Sequence, residues 1–140
     1  MSASLTDQQY RRLLDFRVGL RRFLHRSEEL AEAAGITPAQ HQLLLAVRGF
    51  EDPRGPTIGD IAGLLVLRHH SAVGLSDRAV AAGLVRRTKD PHDHRVVRLA
   101  LTPLGRGRLA ALSALHLEEL KRLSPHLEGL WRGLEDDRSG

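Results

Sequence analysis

Arg68, His69, His70 and Ser71 stand side by side at the start of a helical pattern, and Arg86, Arg87, Lys89 and Arg95 follow soon after. Guanidinium, imidazole and hydroxyl groups bind phosphate oxygens and read the edges of bases. Between positions 68 and 108 there are nine Lys or Arg against three acids, whereas the rest of the chain holds twelve basic and fourteen acidic residues. The positive charge therefore sits on one contiguous piece of sequence. Such asymmetry points to a polyanion partner, although charge counts alone also suit a solvated face.

Other chemistries find little support. The chain has no cysteine, which removes disulfides, thiolate redox sensing and cysteine-ligated zinc. No catalytic triad, phosphate-cradling glycine loop or HExxH helix is visible, so the reading is of a protein that is not an enzyme and needs no cofactor. Eight histidines keep one alternative open, a metal-responsive protein with a zinc site assembled from His41, His116 and Glu118 or Glu119. A second alternative is a helical protein-interaction module built on the leucine-rich ends. The first residues lack a basic region followed by an apolar run, and no apolar stretch reaches membrane-spanning length. A cytoplasmic protein without a membrane partner is the expectation.

The elements that must position the basic groups follow from periodicity. Residues 6 to 34 repeat Tyr10, Leu13, Leu14, Phe16, Leu20, Phe23, Leu24 and Leu30 at helical steps, a stripe wide enough for a core and a partner subunit. Thr37-Pro38-Ala39-Gln40 opens a second helix with an N-cap, a proline in the first turn and a capping-box glutamine. The run Leu43 to Val47 is too apolar for a surface helix. Thr57 and Asp60 repeat the capping-box pattern for a short third helix. Val66-Leu67 makes a turn, and a fourth helix spans 68 to 82 with Ala72, Leu75 and Ala79 on one side. Arg68, His69, His70, Ser71, Gly74 and Arg78 are left largely on the other.

Gly83 is placed to end that helix. Residues 84–89 and 96–101 alternate as strands joined by the tip Asp90 to Arg95. The hairpin presents Arg86, Arg87 and Lys89 on one strand, Arg95 and Arg98 on the other, with His92, Asp93 and His94 at the tip. Asp93 is placed to hold Arg95, or another arginine, by a charge-assisted bond. Thr102-Pro103 starts a further helix, which Ser124-Pro125 is expected to end while capping a last one. Leu109, Leu112, Leu120, Leu123, Leu127, Leu130 and Leu134 form a seam across both, and the tail 136–140 is expected to fray.

Two helices, a tight turn and a basic hairpin are the plan of a winged helix-turn-helix, in which one helix enters the major groove and the hairpin reaches beside it. The predicted architecture is mainly α with a small β-hairpin wing. One domain of 1–140 is expected, with 38–102 as the double-stranded DNA-binding part and long helices at 6–34 and 103–136.

From Ile58 to Gly105 the chain resembles the MarR family of winged helix-turn-helix transcriptional regulators. The resemblance rests on Ile58-Gly59-Asp60-Ile61-Ala62-Gly63-Leu64-Leu65, on Asp77-Arg78, on Gly83-Leu84-Val85 and on the run Asp90 to Arg95 leading into Leu99 to Gly105. It implies a homodimer joined by the terminal helices and a palindromic operator bound as a repressor. It also implies release by a small-molecule effector, for which Arg17, Arg21, His25 and His41 are the candidate polar groups. Two departures stand out: Arg68 occupies the place where the family has a helix-opening serine, and His94 that of a second wing arginine.

Overall fold

The computed structural model describes residues 4–136. The elements run α1 (Asp7–Ala33), α2 (Pro38–Gly49), α3 (Ile58–Leu65), α4 (His69–Ala81), β1 (Val85–Lys89), β2 (Val97–Leu101) and α5 (Pro103–Asp136). The chain divides into two compact units, one made of Ala31–Ser113 and the other of α1 up to Leu30 together with α5 from Ala114.

In the unit of 31–113, caps set where the helices begin. The Thr37 hydroxyl accepts the Gln40 N–H at 3.1 Å while the Gln40 side chain accepts the Thr37 N–H at 3.0 Å. Thr57 and Asp60 make the same reciprocal pair at 3.1 and 2.9 Å. Each pair satisfies two of the amides that a helix start leaves unbonded. α4 lacks this help: its N-cap is Arg68, whose side chain makes no capping bond. At its far end the Leu84 N–H reaches the Ala79 carbonyl and the Gly83 N–H that of Val80, both at 3.0 Å, the Schellman pattern.

The core of this unit explains why α2 is so apolar. Leu43 and Leu44 are both fully buried, as are Ile61 of α3, Ala72 and Ala79 of α4 and Leu99 of β2. Each fully buried Leu or Ile contributes roughly 1.5–3 kcal/mol of transfer free energy. That is enough to hold α3, only eight residues long, which would not persist as an isolated helix.

β1 and β2 pair antiparallel with Val85 opposite Leu101, Arg87 opposite Leu99 and Lys89 opposite Val97. On its other side β2 meets the segment entering α3, through the Leu99 N–H on the Pro56 carbonyl at 2.9 Å and a bridge between Thr57 and Arg98. β1 is thus the outer edge of the sheet. Two glycines permit this packing. A Cβ on Gly55, whose φ is +89°, would collide with the Leu99 carbonyl oxygen. One on Gly105 would collide with that of Leu84.

In the other unit α1 and α5 meet through polar and aromatic contacts. The Ser27 hydroxyl lies 2.6 Å from His116 Nε2, and the Phe23 ring meets the His116 ring edge-on at 6.2 Å. Tyr10, Leu14, Leu20 and Leu24 of α1 and Leu115, Leu117 and Leu120 of α5 remain exposed.

One expected boundary is overturned. α5 continues through Ser124-Pro125 as a single helix to Asp136. Proline forfeits one backbone hydrogen bond and crowds the preceding turn, but helical residues on both sides carry the helix past it. The side chains of Leu127, Leu130 and Leu134, expected to complete the leucine seam, and the tail 137–140 lie outside the described residues.

Candidate nucleic-acid interface

α4 brings the first group of basic residues together. Arg68, His69 and His70 are exposed at its N-terminus, Arg78 is exposed one turn from its end, and Ser71 and Gly74 are half-buried. The buried side of the helix is Ala72, Leu75, Ser76 and Ala79. Ser76 is a polar residue that the periodicity leaves unexplained, and it satisfies itself by donating to the Ala72 carbonyl at 2.8 Å. Gly74 lies half-buried beside the Arg78 side chain. What a Cβ there would meet is the guanidinium of Arg78, at 3.2 Å, so the glycine leaves a notch in which that side chain lies along its own helix.

The hairpin holds the second group. Arg86, Arg87, Lys89, His92, His94 and Arg95 are all exposed, and Asp93 is half-buried. Arg95 is the most open, with 92% of its side chain accessible. Asp93 holds it as the spacing predicts. One carboxylate oxygen of Asp93 accepts the Arg95 backbone N–H and its Nε–H, both at 3.1 Å, and the other accepts Nη2 at 3.3 Å. These bonds keep the Asp93 carboxyl below the usual carboxylate range, the Arg95 side chain contributing most.

Two hairpin arginines have partners that the sequence reading does not give them. Arg87 is ion-paired with Asp77 on α4, so β1 and the helix beside it are tied by charge. Val85, Arg87 and Lys89 share a strand face, which is how Arg87 comes to reach the helix. Arg98 is turned inward. Its Nε donates to Asp90 at 2.8 Å and its Nη1 to the Gly55 carbonyl at 2.8 Å, with 12% of the side chain accessible. It is a structural cation, not a member of an exposed arginine row.

Asp90 is the residue that reading the sequence misses most clearly. It is 4% exposed, and its second oxygen accepts the backbone N–H groups of His92 and Asp93 at 2.8 and 3.2 Å. The bond from His92, followed by that from Arg98, holds its carboxyl below the ordinary range. The signal was the Asp90-Pro91 pair at the end of a strand, since Asp favours bonding the backbone two residues on. Beside it Arg54 chelates Asp52, lowering that carboxyl to about 2, and lies 3.5 Å from Asp90.

The candidate ligand residues are placed as follows. Arg21 and His25 of α1 line one shallow crevice with Arg22, Arg26 and Glu29, and His25 Nε2 is 2.9 Å from Glu29. Arg17 is exposed on the same helix outside that lining, and His41 is buried on α2. Among the described residues no three His, Asp or Glu side chains converge as a metal site. No helix among them is long and apolar enough to cross a membrane.

Comparison with known proteins agrees with this geometry. The profile of the MarR family matches residues 34–96, from the end of α1 to the wing tip. The chain is 34% identical over 80 residues to the uncharacterized HTH-type transcriptional regulator YsmB of Bacillus subtilis (strain 168). That match takes in 57% of this chain and 53% of YsmB, so it spans about half the length of that relative. The crystal structure of CouR from Rhodococcus jostii RHA1, bound to p-coumaroyl-CoA, superposes with a TM-score of 0.72 at 25% identity, covering 97% of this chain and 92% of CouR. A point mutant of S. aureus MepR, bound to an oligodeoxyribonucleotide, superposes with a TM-score of 0.66 at 21% identity, covering 97% and 98%. The chain is thus similar to the MarR family in sequence from the end of α1 to the wing tip, and it shares the fold of CouR along nearly its whole length.

Proposed function

We propose that the protein is a sequence-specific, double-stranded DNA-binding transcriptional regulator that acts as a homodimeric repressor of a palindromic operator. The observation that carries this reading is the pairing of a bare helix start with a bare cationic tip. Arg68, His69 and His70 open α4 with their side chains exposed, and Arg95 stands at the end of the wing. On this scaffold α4 enters the major groove and the wing follows the flanking backbone, with Arg95 in the minor groove. MepR bound to an oligodeoxyribonucleotide supports the same use of the fold.

Dimerisation is supported by the apolar residues left exposed on α1 and on the following length of α5. A two-fold dimer presents two copies of α4 to major-groove turns about 10 bp apart, which a palindrome matches. A small-molecule effector belongs to the same reading, supported by the CoA ester bound to CouR. Helix residues set sequence preference, and the wing cations set affinity.

The test is equilibrium binding to sheared genomic duplex at stepped salt, followed by sequencing of what is retained. The expected result is enrichment of a palindrome and an affinity that falls steeply with salt, with a log–log slope of about −0.9 per phosphate contacted. Absence of retention even at low salt would refute the proposal and favour a protein-interaction module.

A further inference from the structure

Reading α4 and the hairpin as a DNA interface leaves a buried ion pair in the wing with no evident task. Asp90 and Arg98 have only 5% and 12% of their side chains accessible, in a hairpin whose other basic groups are open to solvent. A buried pair is a weak source of stability, because desolvation offsets most of the attraction, whereas it does fix geometry when every lone pair and proton is used. Here the bonds are well distributed. One Asp90 oxygen takes the amides of His92 and Asp93, and the other takes Arg98 Nε. Arg98 then spends Nη1 on the Gly55 carbonyl, across the sheet in the segment that leads into α3.

The tip has little else to hold it. Pro91, His92, His94 and Arg95 are exposed, so no apolar core lies beneath them. Apart from Asp90 and Asp93, the loop is closed by two backbone bonds, from Asp90 N–H to the Val96 carbonyl and from Val96 N–H to the Asp93 carbonyl. Arg54 adds a second cation 3.5 Å from Asp90.

We propose that Asp90 and Arg98 are positioning residues for DNA binding: they brace the wing tip against residues 55–57 at the entrance to α3, so that Arg95 is presented in one orientation. The inference rests on the DNA-binding reading above. It divides the two arginines of the second strand region by task, Arg95 to touch the duplex and Arg98 to aim it.

A mutant cycle on the full chain, with the duplex fragment it retains best, tests this. Arg98→Lys keeps the charge but loses the fork that serves Asp90 and Gly55 together. Asp90→Asn keeps an acceptor for the loop amides but loses the ion pair. Each is made alone and with Arg95→Ala, and amide exchange at His92 and Asp93 is followed in the same proteins. In the wild-type background Arg95→Ala should weaken binding roughly 5- to 150-fold. In either braced-residue variant the same change should cost less than about 3-fold, because an unaimed Arg95 has little left to lose, and the two amides should exchange faster. A variant that is merely less stable would lower the folded fraction yet leave the Arg95 ratio of the folded protein unchanged. An undiminished Arg95 ratio in both variants would overturn the brace while leaving DNA binding intact. If the wild type binds no duplex, the DNA reading falls and takes the brace with it.

Discussion

At the residue scale, cations of one chemical type take different tasks because their neighbours differ. Arg95 is open and held by Asp93 in its own loop, Arg87 is paired to Asp77, and Arg98 is buried against Asp90. Arg95→Ala is accordingly expected to cost about 1–3 kcal/mol of operator binding and to flatten the salt slope by about one, as measured by titration at several salt concentrations. Unchanged binding would remove Arg95 from the contact set. Asp52 gives a pH prediction. Its carboxyl is lowered to about 2 by Arg54, so the folded state favours its charged form. A depressed pKa adds stability that is present above the unfolded value of about 3.9 and is lost as pH falls toward 2. Melting temperatures of the wild type and Asp52→Asn should therefore differ at pH 5–8 and converge between pH 4 and 2. The gap should be small because both partners are partly solvated, and a gap that persisted at pH 2 would contradict the assignment.

At the element scale, most of the fold was legible in the sequence. Thr37 with Gln40 and Thr57 with Asp60 announced two helix starts, since the capping box is a local signal written within four residues. The alternation of Val85, Val97, Leu99 and Leu101 announced the hairpin, in which each strand begins one residue later than expected and ends where expected. The continuity of α5 through Ser124-Pro125 was not legible, because a proline states the loss of one bond and says nothing of the helix that resumes beyond it. The task of Arg98 was hidden for a different reason. Its partner carbonyl on Gly55 is distant in sequence, and only the closed sheet brings the two together. Exposure of Arg68, His69, His70 and Arg95 was readable from pattern, whereas the pairing of Arg87 with Asp77 depends on how β1 meets α4. The turn between α3 and α4 carries its own prediction. Val66 is 91% exposed and sits at φ 54°, in the left-handed region where a β-branched residue is strained. Val66→Gly should relieve about 1–3 kcal/mol of strain against about 0.5–1 kcal/mol of added chain entropy, a net stabilisation measurable by urea unfolding. A destabilised variant would overturn the assignment of strain to Val66.

At the scale of the whole molecule, the chain separates a reading unit, 31–113, from a helical unit that leaves Tyr10, Leu14, Leu20 and Leu24 of α1 and Leu115, Leu117 and Leu120 of α5 uncovered. If that surplus belongs to a second copy, removing residues 125–140 should yield monomers or aggregates by sedimentation, and a soluble dimer still competent for DNA would contradict the proposed dimer. The sheet has a margin of its own to consider. β1 is its outermost strand, and Arg86, Arg87 and Lys89 are strung along it. A bare strand margin invites another polypeptide to add on, and like charges are a common deterrent. The cations proposed to draw phosphate would thus also keep copies of the protein from zipping together, and a variant stripped of all three would be expected to precipitate as well as to lose the proposed DNA binding.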